Sequence, residues 1–115
     1  MNELKAEIII NAGIRVAELN FANAYVIKRG DSDAGAIFVK IDTLDGHAKL
    51  YSRNLVYEFV KNKDLVQFQD LYPNKEVKRE DIDIRIAKEI SIDIDCWIVE
   101  IEDKNGFNPF HNLDC

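Results

Sequence analysis

The sequence predicts an α+β domain: an N-terminal helix, a largely antiparallel sheet of about five to six strands, a second helix, and a C-terminal strand that joins the sheet. Three observations predict it. Residues 4–20 carry apolar side chains at helical spacing, the period changes to two from Ala24 onward, and residues 79–91 run from acidic to basic as a helix prefers.

Between Leu4 and Asn20 the polar residues Glu7, Asn11, Arg15 and Glu18 step by 4, 4 and 3, while Ile9, Ala12, Val16 and Leu19 step by 3, 4 and 3. Both are helical spacings. The β-branched run Ile8 to Ile10 could open a strand, but a strand leaves the polar stripe unexplained. Tyr25 and Ile27 then alternate with Val26 and Lys28, Ile37, Val39 and Ile41 with Phe38 and Lys40, and Ala48, Leu50 and Ser52 with Lys49 and Tyr51. These are three strands. Asp45-Gly46 makes the second and third antiparallel neighbours, because Gly accepts the positive φ of a hairpin turn. Further short strands are expected at Leu55 to Val60 and Leu65 to Asp70, around the polar turn Lys61 to Asp64, and Pro73-Asn74 closes the meander.

From Arg79 to Ser91, Ile82, Ile84 and Ile86 fit a strand while Ile82, Ile86 and Ile90 fit a helix. Glu80, Asp81 and Asp83 at the start and Lys88 near the end complement a helix macrodipole and decide for the helix. Trp97, Val99 and Ile101 form the last strand, which Asn105-Gly106 ends, and the aperiodic stretch from Phe107 to Cys115 is expected to be loose. Both helices are expected on one face of the sheet.

Nothing in the 115 residues marks a domain boundary: there is no internal repeat and no Pro, Gly or Ser-rich linker. The composition, 47% hydrophobic and 31% charged, is that of a globular chain with a real core. The net charge is −6, and residues 61–115 hold most of it, with 8 basic against 13 acidic side chains. Asp93, Asp95, Glu100, Glu102 and Asp103 lie in a stretch without Lys or Arg. Such a field repels nucleic acid, so that partner is not expected. Ile8 to Ile10 is far too short an apolar run to span a membrane, and Met1 to Lys5 lack the features of a secretion signal, so the expected compartment is the cytoplasm. Cys96 and Cys115 are accordingly expected as free thiols.

The most distinctive stretch is Arg29-Gly30-Asp31-Ser32-Asp33-Ala34-Gly35-Ala36. Backbone N–H groups around Gly30 and Gly35 could form an anion-binding nest beside Arg29, although Asp31 and Asp33 oppose an anion and the same residues serve ordinary turns. Asp31, Asp33 and Asp42 occupy positions 1, 3 and 12 of a calcium-loop count, but Gly35 and Ala36 at positions 5 and 6 break the pattern. Asp31 or Asp33 with Glu100 or Glu102 would supply hard oxygen ligands for a divalent ion such as magnesium, although Glu100 and Glu102 also fit a solvated strand face. His47, Cys96, His111 and Cys115 are too scattered for a zinc site, and no nucleophile stands in a recognisable setting, so catalytic residues are unknown.

The run from Lys28 to Ile37, then Leu44-Asp45-Gly46, Leu50-Tyr51-Ser52, and finally Asp93-Ile94-Asp95-Cys96-Trp97-Ile98-Val99-Glu100-Ile101-Glu102-Asp103, resembles the bacterial family catalogued as domain of unknown function 1491. The resemblance covers nearly the whole chain in order. It departs at Ile94, where the family pattern often has Pro, and it says little over residues 54–80. It implies a small single-domain bacterial protein without an assigned activity, and it marks Arg29, Asp31, Asp33, Gly35, Trp97 and Glu100 as shared positions. Of these, Arg29, Asp31, Asp33, Gly35 and Glu100 are the candidate ligand-binding residues.

The expectation is therefore a cytoplasmic accessory or binding domain without catalysis or cofactor, acting through a sheet edge or face on a protein partner or as a homo-oligomer. The alternative is a metal-dependent enzyme for a phosphorylated or nucleotide substrate, with Asp31, Asp33, Glu100 and Glu102 as ligands and Arg29 on the phosphate.

Overall fold

A computed structural model describes residues 5–33, 35–53, 65–111 and 113–114. The chain runs α1 (Ala6–Leu19), β1 (Asn23–Lys28), β2 (Ile37–Asp42), β3 (His47–Arg53), β4 (Leu65–Val66), β5 (Phe68–Asp70), β6 (Val77–Lys78), α2 (Arg79–Ile92), β7 (Trp97–Glu102) and β8 (Leu113–Asp114). Among the described residues six strands form one sheet in the order β1-β7-β2-β3-β5, with β6 also on β3, while β4 and β8 form a separate pair. The pairings are antiparallel except β2 with β7. This is the expected α+β architecture, with the C-terminal strand placed inside the sheet. The strand expected at residues 55–60 lies outside the described residues.

Two details differ from the expectations. The run expected as one strand over 65–70 divides at Gln67 into β4 and β5, which belong to different sheets. The helices also cover opposite faces. Side by side in parallel register, Ile37, Val39 and Ile41 of β2 and Trp97, Val99 and Ile101 of β7 pack with Ile9, Ile10 and Ala17 of α1. The alternate residues Ala48, Leu50 and Ile98, with Cys96, pack with Ile82 and Ile86 of α2. A strand buried on both sides needs apolar residues at successive positions, and Trp97-Ile98-Val99 supplies them. Burying each such side chain contributes about 1.5–3 kcal/mol.

The β2–β3 connection is a hairpin as expected, with positive φ at Leu44 and Gly46. Helical periodicity wins in α2: Ile82 and Ile86 are buried while Ile84 is exposed. Where it is described, the segment after Phe107 packs on the fold. Phe110 is fully buried against Phe68, with ring centroids 5.2 Å apart, and sits over Gly13 so closely that a Cβ there would lie 2.1 Å from the ring.

Candidate functional site

Three features of the sheet bear on function: the loop before β2, the charged face under α2, and the open edge at β1. Residues 29–33 and 35–36 form a latch. Gly30 and Gly35 pass so close to the start of β7 that a Cβ on either would lie 2.2 Å and 2.5 Å from the Asp95 carbonyl oxygen. Asp31 N donates to that same oxygen at 2.9 Å, and Trp97 Nε1 donates to the Asp31 carbonyl at 2.7 Å. Arg29 stacks 4.9 Å from the Trp97 ring centroid and pairs with Glu7 of α1 at 2.6 Å. Lys28 Nζ donates to the carbonyls of Ile94, Cys96 and Arg29.

The loop also serves α1, whose N-cap Lys5 offers no side-chain acceptor. Carbonyls of Ser32 and Asp33 accept the N–H groups of Glu7 and Ala6 at 3.1 Å and 3.3 Å, satisfying donors that every helix start leaves open. Within the loop, Asp33 N donates to Asp31 Oδ1 and Gly35 N to the Asp31 carbonyl. The N–H groups of Asp31, Asp33 and Gly35 that could have faced an anion thus already have partners. Asp33 makes a long, exposed contact with Lys5 at 3.7 Å.

Glu100 and Glu102 belong to the other face. Strand alternation sets them opposite Trp97, and Glu100 stands beside Tyr25 and Lys40 in register. The structure therefore joins Arg29, Asp31 and Gly35 around Trp97, and it does not bring Asp31 and Asp33 to Glu100 and Glu102. Among the described residues no three His, Cys, Asp or Glu side chains form a metal-holding group.

On the α2 face lies a charge network that sequence reading missed. The buried Lys40 ammonium is 2.6 Å from Asp83 Oδ1 and 3.3 Å from Glu100 Oε1. Two residues on, buried Asp42 meets Arg79 at 3.3 Å and accepts Leu44 N at 2.8 Å. Both pairs pin α2 to β2. Burial pulls the Lys40 pKa down, but the Asp83 hydrogen bond and the charges of Glu100 and Asp83 outweigh it and raise the group above its ordinary value. With a folded value above the unfolded one, the stabilisation is complete below about pH 10.4 and is lost as pH rises through the folded value. Lys40→Met should cost about 2 kcal/mol at pH 7, below the buried-pair range because its partners reach water, and should flatten the alkaline loss. Urea unfolding at neutral and strongly alkaline pH checks this; coincident profiles for variant and wild type would contradict the pairing.

Beyond Glu100 the same face ends at Tyr25, whose hydroxyl donates to Glu102 Oε1 at 3.3 Å. The carboxylate charge of Glu102 raises the phenol's pKa. Among the described residues the sheet ends here: β1 pairs only with β7, and Tyr25, Val26 and Ile27 are exposed on it. Just before it, α1 ends in a Schellman turn: Ala22 N bonds to the Ala17 carbonyl and Phe21 N to that of Glu18. Phe21 occupies the left-handed position at φ 60°, where Gly is usual, and its side chain is 97% exposed. The sequence signal for this site was available: a helix stop without Gly or Asn at its left-handed position, followed by the apolar run Ala24 to Ile27.

The chain as a whole has relatives among known proteins. The profile described as protein of unknown function (DUF1491) matches residues 4–111. The chain is similar to a crystal structure of a DUF1491 family protein from Caulobacter crescentus, at 34% identity and TM-score 0.73, over 92% of this chain and 91% of that one. It is likewise similar to the solution structure of a protein from A. tumefaciens, at 30% identity and TM-score 0.77, over 98% and 97% of the two chains. Among curated proteins no match to this chain is found.

Proposed function

The chain belongs to the DUF1491 family of proteins of unknown function, and from its surface we propose that it is a non-catalytic binding domain whose working surface is the open β1 edge, taken by a second copy of the chain. The observation that carries this reading is Phe21. A left-handed backbone costs a non-glycine residue roughly 1–2 kcal/mol, and an aromatic ring left 97% exposed recovers none of that in the monomer. Strain of this kind, held where an apolar strand edge begins, points to a surface that is covered in the working state.

Self-pairing suits the charges. β1 ends at Lys28, and its first residue Asn23 lies beside Glu102 of β7. Antiparallel pairing of two copies sets the Lys28 end of each near Glu102 of the other, in the isologous contact typical of twofold dimers. The register shift between Val26 and Lys28 bends the strand, so the edge accepts one short partner strand without templating further growth.

A binding reading is also supported by the structural tasks already held by Arg29, Asp31, Gly35 and Glu100. The organisms of the similar structures support a bacterial source. Buried Cys96, whose pKa burial pushes up, is an inert thiol suited to the reducing cytoplasm. Sedimentation equilibrium tests the proposal: wild type should be dimeric, and Ile27→Lys, which puts like charges on both sides of a twofold edge, monomeric with an unchanged circular dichroism spectrum. A monomeric wild type, or a dimeric variant, refutes it.

A further inference from the structure

At the opposite end of β3 from the latch, the β2–β3 turn, the β5–β6 loop and the turn after β7 enclose a cleft of about 490 Å³, within the usual size of small-molecule sites. We infer that this cleft binds a small phosphorylated molecule with a hydroxyl-bearing body, of the sugar phosphate class. The inference is independent of the β1 edge.

Some charges in the cleft are already satisfied within the protein and others are not. Three lysines line it from three separate segments: Lys49 from β3, Lys75 from the β5–β6 loop and Lys104 from the turn after β7. Among the described residues none of the three side chains has an ion pair or hydrogen bond. The carboxylates of the same cleft are engaged within the protein. Asp45 accepts from Thr43 Oγ1 at 2.6 Å and from His47 N at 3.1 Å, and those bonds hold its pKa below the ordinary value. Asp70 accepts Tyr72 N at 2.9 Å, and Glu76 lies 3.3 Å from His47 Nε2.

In a chain of net charge −6, three lysines without side-chain partners around one cleft offer an anion a local site. A phosphate monoester carries about 1.5–2 negative charges and three acceptor oxygens at neutral pH, which matches three lysine donors better than a single carboxylate does. The cleft is larger than one phosphate needs, and Asn74 and Asn105 with the outer lone pairs of Asp45 and Glu76 can hydrogen-bond the hydroxyls of an attached sugar. His47 adds a second, independent sign. Its Nδ1 is buried in the cleft wall without a hydrogen bond, with Asp45 Oδ1 at ion-pair distance, 3.5 Å, a polar group whose incomplete satisfaction calls for an explanation.

The test is amide chemical-shift titration of the full chain at fixed ionic strength with glucose 6-phosphate, inorganic phosphate and glucose. Glucose 6-phosphate should give saturable shifts centred on His47, Lys49, Lys75 and Lys104, and glucose none. The triple variant Lys49→Gln, Lys75→Gln, Lys104→Gln should weaken binding at least about tenfold, the loss expected from removing charged hydrogen bonds, while Lys88→Gln on α2 should leave it unchanged. Saturable binding of inorganic phosphate alone would keep the anion site and overturn the sugar phosphate class. No saturable shift with either phosphate compound, or an equal loss in Lys88→Gln, would overturn the site itself.

Discussion

Gly30→Ala should lower the stability of the fold by about 3 kcal/mol, combining the cost of overpacking with that of two strained hydrogen bonds. The added Cβ would lie 2.2 Å from the Asp95 carbonyl oxygen and 2.6 Å from the Cys96 carbonyl carbon, both backbone atoms that cannot turn aside as a side chain could. Relief requires the loop to back away from β7, and that motion stretches Asp31 N to Asp95 O and Trp97 Nε1 to Asp31 O, the bonds that close the latch. The Ser32 and Asp33 carbonyls that cap α1 move with it. Gly46→Ala is the internal control. Gly46 has positive φ, but nothing lies within 4 Å of an added Cβ, so only the backbone preference of about 1 kcal/mol is lost. Urea midpoints of the two variants measure the difference. Equal losses would mean that the loop does not need its close approach to β7.

Phe110→Ala is expected to cost about 4 kcal/mol, in the range for emptying a core site of an aromatic ring. The ring is fully buried, and it fills the space over Gly13 and beside Phe68, joining α1 to β5. Its loss leaves a cavity that a helix anchored by the latch cannot close. Phe107, three residues earlier and 40% exposed, should cost no more than about 1 kcal/mol when truncated to Ala. Denaturant unfolding of both variants separates the two. If Phe110→Ala were as mild as Phe107→Ala, the C-terminal segment would be no part of the core.

Periodicity made much of this architecture legible. Ile9, Val16 and Leu19 at helical spacing marked α1, and Asp45-Gly46 marked the β2–β3 hairpin, because each signal is local. The expectation of both helices on one face is wrong, although a cue to the contrary was present. Trp97-Ile98-Val99 and Ile37-Phe38-Val39 are consecutive apolar triplets, which implies burial from both sides and so a helix on each face. The alternation of Val99, Ile101, Glu100 and Glu102 drew attention to one face only.

Legibility at the candidate sites followed the same division. Arg29, Gly30, Asp31 and Gly35 stood out by type, yet their task depends on Asp95 and Trp97, some 60 positions away in the chain, which only the fold brings near. Lys40, Asp42 and Asp83 were hidden because an isolated charge on a strand or helix reads as solvent-facing until its partner is known. Phe21 escaped notice because helix ends were judged from spacing and not from the handedness of the closing residue.

The proposed cover for the β1 edge gives Phe21 its reason for holding a left-handed backbone. Phe21→Gly tests it most directly when self-association by sedimentation and unfolding at dilutions where the wild type is monomeric are measured on the same samples. The variant should gain roughly 0.5–1 kcal/mol, since relief of left-handed strain exceeds the entropy glycine adds to the unfolded chain. Its self-association should weaken at least about tenfold, the effect of losing one buried aromatic anchor. A variant that gains stability and associates as tightly as the wild type would contradict the account, as would one that loses stability.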